Sequence, residues 1–330
     1  MPIDCELPEF QPHRLIRGGH AQTIAGVYLP GRRAPYRAKQ HVVELPDGDR
    51  LALHDDTPDG WRPGQRVALL IHGLGGCHGS PYMVRVTEKL LARGVRVFRL
   101  DLRGWGAGAK FAAAPFHAAR TGDIEAAIDA VRAAAPQSPL AAVGFSLGAN
   151  MLLKLLGDLG DAPPPDVDRA MAVAPPIDLM HCCKNLERGF QRVYDRKYAG
   201  YLWRHLHERA TAAPQFAAAA REKPPRSIYE FDWRFTAPMG GFESVEHYYA
   251  AASSKPVLAA VRVPTLILSA YDDPIVPGRV FDDAVFAPAT RLRLTAHGGH
   301  LGFIARAGGD ADRRWMDWRV VDFVTAGQRD

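Results

Sequence analysis

Six short apolar runs, separated by stretches of helical spacing, most constrain what this 330-residue chain can fold into. They are VALLIHG (67–73), GVRVFRLD (94–101), PLAAVGFS (139–146), RAMAVAP (169–175), TLILSA (265–270) and RLRLTA (291–296). Rich in Val, Ile and Leu and bounded by glycine or proline, they read as strands of a parallel sheet covered on both faces. Helical spacing over 81–93, 121–134, 147–157 and 312–325 supplies the right-handed crossovers such a sheet needs. Upstream, HVVEL (41–45) and RLALH (50–54) flank Pro46-Asp47-Gly48-Asp49, a turn that predicts an antiparallel hairpin. The expected fold is α/β, with a mostly parallel central sheet and helices on both faces.

The rhythm stops between Pro175 and Val263. An interval of roughly 90 residues far exceeds a strand–helix connection of ~2–6, so it must carry structure of its own. Within it Leu186, Phe190, Val193, Tyr194, Tyr201, Leu202 and Leu206 recur at spacings of three, four and seven, the pattern of one helix face. We therefore expect a helical cap at 175–262 inserted into a core made of 1–174, with an N-terminal arm at 1–40, and 263–330. Tyr194, Tyr198, Tyr201, Trp203, Tyr229, Phe231, Trp233 and Phe235 make the insertion aromatic.

The strongest chemical signal is Gly144-Phe145-Ser146-Leu147-Gly148, which follows one of the strands and opens a helical run. A serine on a sharp strand-to-helix turn has an exposed hydroxyl, and small residues two places before and after let strand and helix pack closely around it. The helix N-terminus behind it favours developing negative charge. A serine hydroxyl needs a base, and the base needs an orienting carboxylate. Both follow in order. Tyr271-Asp272-Asp273-Pro274 comes after TLILSA, and His297-Gly298-Gly299-His300 comes after RLRLTA. Catalytic groups of open α/β sheets gather at that edge. Asp273 is the first choice of acid and Asp272 the alternative. His300 is preferred to His297 because Gly298-Gly299 gives it a flexible loop over the site. His72-Gly73-Leu74-Gly75-Gly76, after VALLI, turns main-chain N–H groups toward a reacting carbonyl, and the expected oxyanion donors are the amides of Leu74 and Leu147.

Other chemistries fit poorly. Neither Gly-x-x-x-x-Gly-Lys-Ser/Thr nor Gly-x-Gly-x-x-Gly occurs, so nucleotide binding is not expected. His181-Cys182-Cys183 lacks the spacing and second ligand pair of a zinc site, and no cofactor or metal is expected. Cys5, Cys77, Cys182 and Cys183 show no disulfide framework and read as free thiols. No run approaches the ~18 apolar residues of a membrane span. The start MPIDCELPEFQPHR has neither the basic region nor the apolar run of a signal peptide, which predicts a cytoplasmic protein.

The ordered set HGLGG, DLRGWG (101–106), GFSLGAN (144–150), YDDPIVP and HGGHLGF (297–303) resembles the α/β-hydrolase fold, and more closely its YheT-like branch. RGGHAQTI (17–24) is similar to the N-terminal signature of that branch, and FTAPMGGFESVEHYYAAASS (235–254) to the segment that closes its cap. The resemblance implies a serine hydrolase of esterase or lipase type, with Ser146, Asp273 and His300 as its charge-relay set. The expected reaction is cleavage of a carboxylic ester through an acyl-enzyme. A thioester, an amide or acyl transfer to an alcohol would use the same groups, and a non-catalytic ligand-binding protein on this fold is the reading from another class.

Charge refines the expected partners. The 41 Lys+Arg against 36 Asp+Glu give +5, too little over this length to argue for nucleic acid, and none is expected as a partner. Residues 184–226 hold ten Lys/Arg and four Asp/Glu, 10 − 4 = +6, so the remainder nets −1. The excess sits in the insertion. It predicts attraction of a small ester or acyl lipid with negative charge, and weak peripheral association with anionic membrane.

Overall fold

The computed structural model describes residues 7–29, 35–211 and 214–328. Among these, eight strands form one sheet: β1 (Lys39–Glu44), β2 (Arg50–Asp56), β3 (Val67–Ile71), β4 (Arg96–Asp101), β5 (Leu140–Phe145), β6 (Val167–Val173), β7 (Thr265–Ala270) and β8 (Thr290–Thr295). Their order is β1-β2-β4-β3-β5-β6-β7-β8. The expected hairpin pairs β1 with β2, and β2 also runs antiparallel to β4; all other pairs are parallel. Ile71 pairs with Gly144, Phe145 with Val173, and Ala270 with Thr295. That register brings the loops after β3, β5, β7 and β8 to one sheet edge.

Helix α1 (Gly19–Tyr28) precedes the sheet, and α2 (Pro81–Leu91), α3 (Gly122–Ala134) and α4 (Leu147–Leu159) follow β3, β4 and β5. Between β6 and β7 come α5 (Leu179–Leu186), α6 (Arg192–Glu208), α7 (Pro214–Ala219), α8 (Ile228–Phe231), α9 (Ala237–Met239) and α10 (Val245–Ala252), and α11 (Trp315–Thr325) ends the described core. The insertion is helical, but its apolar repeat is not one helix face. Gly189, at φ 48°, interrupts the helix after α5, and a 3-10 turn at Gly189–Gln191 resets the phase before α6. Leu186, Tyr194, Leu202 and Leu206 are buried, whereas Phe190 and Val193 remain 57% and 52% exposed.

Apolar clusters cover both faces of the sheet, as the continuous apolar strands require. On β3, Val67, Leu69 and Ile71 join α3 and α4 on one side, while Ala68 and Leu70 join α2 and α11 on the other. Arg85 of α2 and Asp317 of α11 are both buried and bonded at 2.7 Å, which ties the second layer together. No helix among the described residues is long and apolar enough to cross a membrane. Cys77, Cys182 and Cys183 are free thiols, and Cys5 lies outside the described residues.

Candidate active site

Ser146 sits at φ 51° and ψ −122°, a backbone region that side chains with a Cβ rarely occupy. Its amide donates to Val173 O at 2.8 Å, and its carbonyl accepts from Ala149 and Asn150 as α4 begins. The strain is held by close packing. A Cβ on Gly148 would lie 2.4 Å from His72 O, so only glycine lets α4 descend onto the loop after β3. Asn150 clamps the other flank: its Nδ2 donates to Ala252 O and its Oδ1 accepts from Ser254 N.

The fold brings Ser146, His300 and Asp273 into one hydrogen-bonded line. Ser146 Oγ lies 2.9 Å from His300 Nε2, and His300 Nδ1 lies 2.8 Å from Asp273 Oδ2. A carboxylate can only accept, so Nδ1 carries the imidazole proton and Nε2 is left to accept from the serine hydroxyl. Asp273 Oδ1 accepts from the amides of Ile275 and Val276 at 2.8 and 2.9 Å, which fixes its orientation. Asp272 turns the other way. It accepts from Gly299 N and faces His297 Nδ1 at 3.1 Å.

The loop carrying His300 is tightly held, contrary to the flexibility expected of Gly298-Gly299. A Cβ on Gly299 would meet Gly19 O at 2.3 Å, so this glycine serves close approach to α1. Thr23 Oγ1 donates to Gly19 O and accepts from His300 N at 2.8 Å. Gln22 Oε1 accepts from Ile304 N, and its Nε2 donates to Ile304 O and Ile16 O. The segment RGGHAQTI therefore braces the histidine loop, a role no local pattern announced.

Leu74 and Leu147 line the same cavity as Ser146. His72 Nδ1 donates to Gly73 O at 2.7 Å, while its Nε2 accepts from Leu102 N, which leaves a neutral ring that shapes the turn. Burial lowers the His72 pKa and keeps that ring uncharged. Behind it, Asp101 accepts from the His78 amide and the Ala107 amide and is contacted by His54 Nε2 and His78 Nδ1 at 3.0 and 2.8 Å. Burial opposes ionisation there, but the hydrogen bonds from both histidines outweigh it and hold the carboxyl well below the ordinary range. His54, His78 and Asp101 form a compact donor set of the kind that could hold a metal ion. The facing atoms are already joined by hydrogen bonds on Asp101 Oδ2, and His54 Nδ1 takes Tyr36 Oη as its partner, which makes the set a hydrogen-bond hub beside the loop.

The cavity measures about 130 Å³ and runs under the insertion. Leu179, Leu202, Leu206, Phe116, Phe216, Phe231 and Phe235 make most of its wall apolar. Of the aromatic residues expected in the cap, Tyr198, Phe231 and Phe235 line it, whereas Trp233 is exposed. Cys182 and Cys183 are buried in its wall, where desolvation pushes both thiols up, Cys183 to about 12. His181, by contrast, is exposed.

A parallel sheet with a strained serine after β5 and an aspartate–histidine pair at the same edge defines a class, and comparison agrees with it. A family model described as alpha/beta hydrolase fold matches residues 67–307, and the chain belongs to that family. Within it the chain falls on the YheT-like branch. It is 32% identical over 322 residues to the candidate esterase YheT of Escherichia coli (strain K12), covering 96% of this chain and 93% of the relative. It is 27% identical over 303 residues to human phospholipase ABHD3, covering 87% and 71%. Among solved structures, the Pyrococcus furiosus esterase Pf2001 superposes with a TM-score of 0.57 at 15% identity over 89% of this chain and 95% of its own, a likeness of fold. The chain is a hydrolase related to esterases and lipases.

Proposed function

We propose that this chain hydrolyses carboxylic esters through an acyl-enzyme on Ser146. The observation that carries the proposal is the unbroken line Ser146–His300–Asp273, at 2.9 and 2.8 Å, beside an apolar cavity. His300, oriented by Asp273, takes the Ser146 proton as the hydroxyl attacks the ester carbonyl, and the Leu74 and Leu147 amides receive the oxyanion. His300 then protonates the departing alcohol. Water repeats the sequence and releases the acid. An apolar cavity of this size suits a short or medium acyl or aryl group, and the helical insertion (175–262) acts as the cap that selects it.

Acyl transfer to an alcohol is the second reading. It is favoured by one relative, the medium-chain fatty acid ethyl ester synthase/esterase 2 of Saccharomyces cerevisiae, 28% identical over 285 residues and covering 78% of this chain and 62% of its own length. Product analysis with added ethanol separates the two, since hydrolysis releases free acid only.

Hydrolysis of p-nitrophenyl butyrate by wild type and Ser146→Ala tests the main reading. Wild type turns over, and the variant falls to the background set by binding and the oxyanion donors, a loss of about 10³ or more, with an unchanged circular dichroism spectrum. Full activity in Ser146→Ala overturns it.

A further inference from the structure

The cavity beside Ser146 has few polar walls, and one of them is a guanidinium. Arg209, which caps the C-terminal end of α6, is only 3% exposed and lines the cavity together with Trp105, Phe116 and Phe216. Its Nη2 donates to Ala112 O and Ala114 O at 2.6 and 3.1 Å, and its Cζ sits 4.3 Å from the Phe216 ring centroid. A Cβ on Gly104 would lie 2.5 Å from Nη1, so glycine there makes room for the cation. No carboxylate among the described residues is in direct ion-pair contact with it; Asp49, already bonded to Arg103, acts on it only from a distance. Among the described residues Nε is buried without an acceptor, and Nη1 makes no hydrogen bond. Several other buried arginines face acids: Arg85 meets Asp317, Arg99 meets Asp56, and Arg103 meets Asp49 and Asp123, whereas Arg314, away from the cavity, donates to the carbonyls of Gly26 and Leu29. A buried guanidinium with no carboxylate in contact and half its donors unused is costly unless something completes it.

We propose that Arg209 is a specificity residue that receives an anionic group on the substrate, and that the preferred ester carries an acyl chain ending in a carboxylate. The proposal rests on the ester-hydrolase reading and names its substrate class. The apolar wall shared by Ser146 and Arg209 fits the hydrocarbon between the two functional groups, and Nη1 offers the charge-assisted hydrogen bond at its end. Burial lowers the Arg209 pKa to about 10, which still leaves it protonated at neutral pH.

The test compares mono-p-nitrophenyl esters of adipic, suberic and sebacic acid with p-nitrophenyl hexanoate, octanoate and decanoate. Wild type, Arg209→Met and Arg209→Lys are assayed, with Ser146→Ala as the background. Wild type favours at least one half-ester over its neutral partner of equal length by about ten- to a hundredfold in kcat/KM, the worth of one hydrogen bond to a charged group. Arg209→Met loses that preference while turning over the neutral esters, and Arg209→Lys keeps part of it. An equal fall on both series in Arg209→Met assigns the residue to bracing 112–114 and overturns the proposal. A wild-type preference for the neutral esters does so too, and decides alone should Arg209→Met not fold. If neither series turns over, it is the hydrolase reading that fails, and calorimetry on Ser146→Ala decides the anion site. Tighter binding of monomethyl suberate than of methyl octanoate, lost on adding Arg209→Met, supports the site; equal binding overturns it.

Discussion

Asp232 shows how much a single buried residue can govern. It lies in the cavity wall, bonded to Thr236 Oγ1 at 2.6 Å and to Tyr249 Oη at 2.8 Å, on a one-turn π-helix at Asp232–Thr236. Burial raises its pKa to about 6, against the pull of the two hydroxyl donors. The folded state therefore holds this proton more tightly than the unfolded chain does, whose aspartate titrates near 4. Its stabilising effect is complete below about pH 4 and is lost as pH rises to about 6, a change of about 2–3 kcal/mol at most. Asp232→Asn, measured by urea unfolding, should remove that loss, so the variant gains on wild type at pH 7.5 relative to pH 4. An identical pH dependence in both proteins contradicts the assignment. Residue-scale choices were only partly legible in the sequence. The neighbours Asp272 and Asp273 follow the same strand, and only the turn after β7 decides that Asp273 faces His300 while Asp272 holds the loop. Arg209 was invisible for another reason: in sequence it is one more charge in a basic segment.

At the scale of elements, the six strands, the hairpin and the main core helices could be read because apolar period and punctuation are local. The purpose of α1 could not, because Thr23 and His300 are 277 residues apart when they meet. Thr23→Val isolates that contact, since it keeps the shape and leaves the His300 amide buried without an acceptor. We expect a loss of about 1–3 kcal/mol in stability and a lower kcat with little change in KM, measured by denaturant unfolding and ester kinetics on the same preparation. Unchanged kcat would show that α1 does not set the histidine loop. The insertion was legible as helical but not in its phase, because Gly189 at positive φ breaks one apparent stripe into two helices.

Across the whole molecule, the uneven charge acquires a surface. Ile24, Val27 and Tyr28 are exposed on α1, as are Phe190 and Val193 near the start of α6, and the two elements meet where Lys197 donates to Tyr28 Oη and the rings of His20 and Phe190 touch. Arg188, Arg192, Arg196 and Lys197 are exposed around them. We propose that these apolar side chains and the cations around them meet an anionic lipid surface. Binding to vesicles containing phosphatidylserine should weaken as salt rises and should drop in Arg192→Glu/Arg196→Glu, followed by co-sedimentation. Binding independent of both salt and these charges contradicts that account.

The central claim, an acyl-enzyme on Ser146, is tested most directly by labelling the native protein with a fluorophosphonate and mapping the adduct by peptide mass spectrometry. The hydrogen-bonded line from Asp273 through His300 predicts one stoichiometric adduct on Ser146, abolished in Ser146→Ala and slowed in His300→Ala. An adduct on another residue, or none on a protein that still cleaves esters, would contradict it.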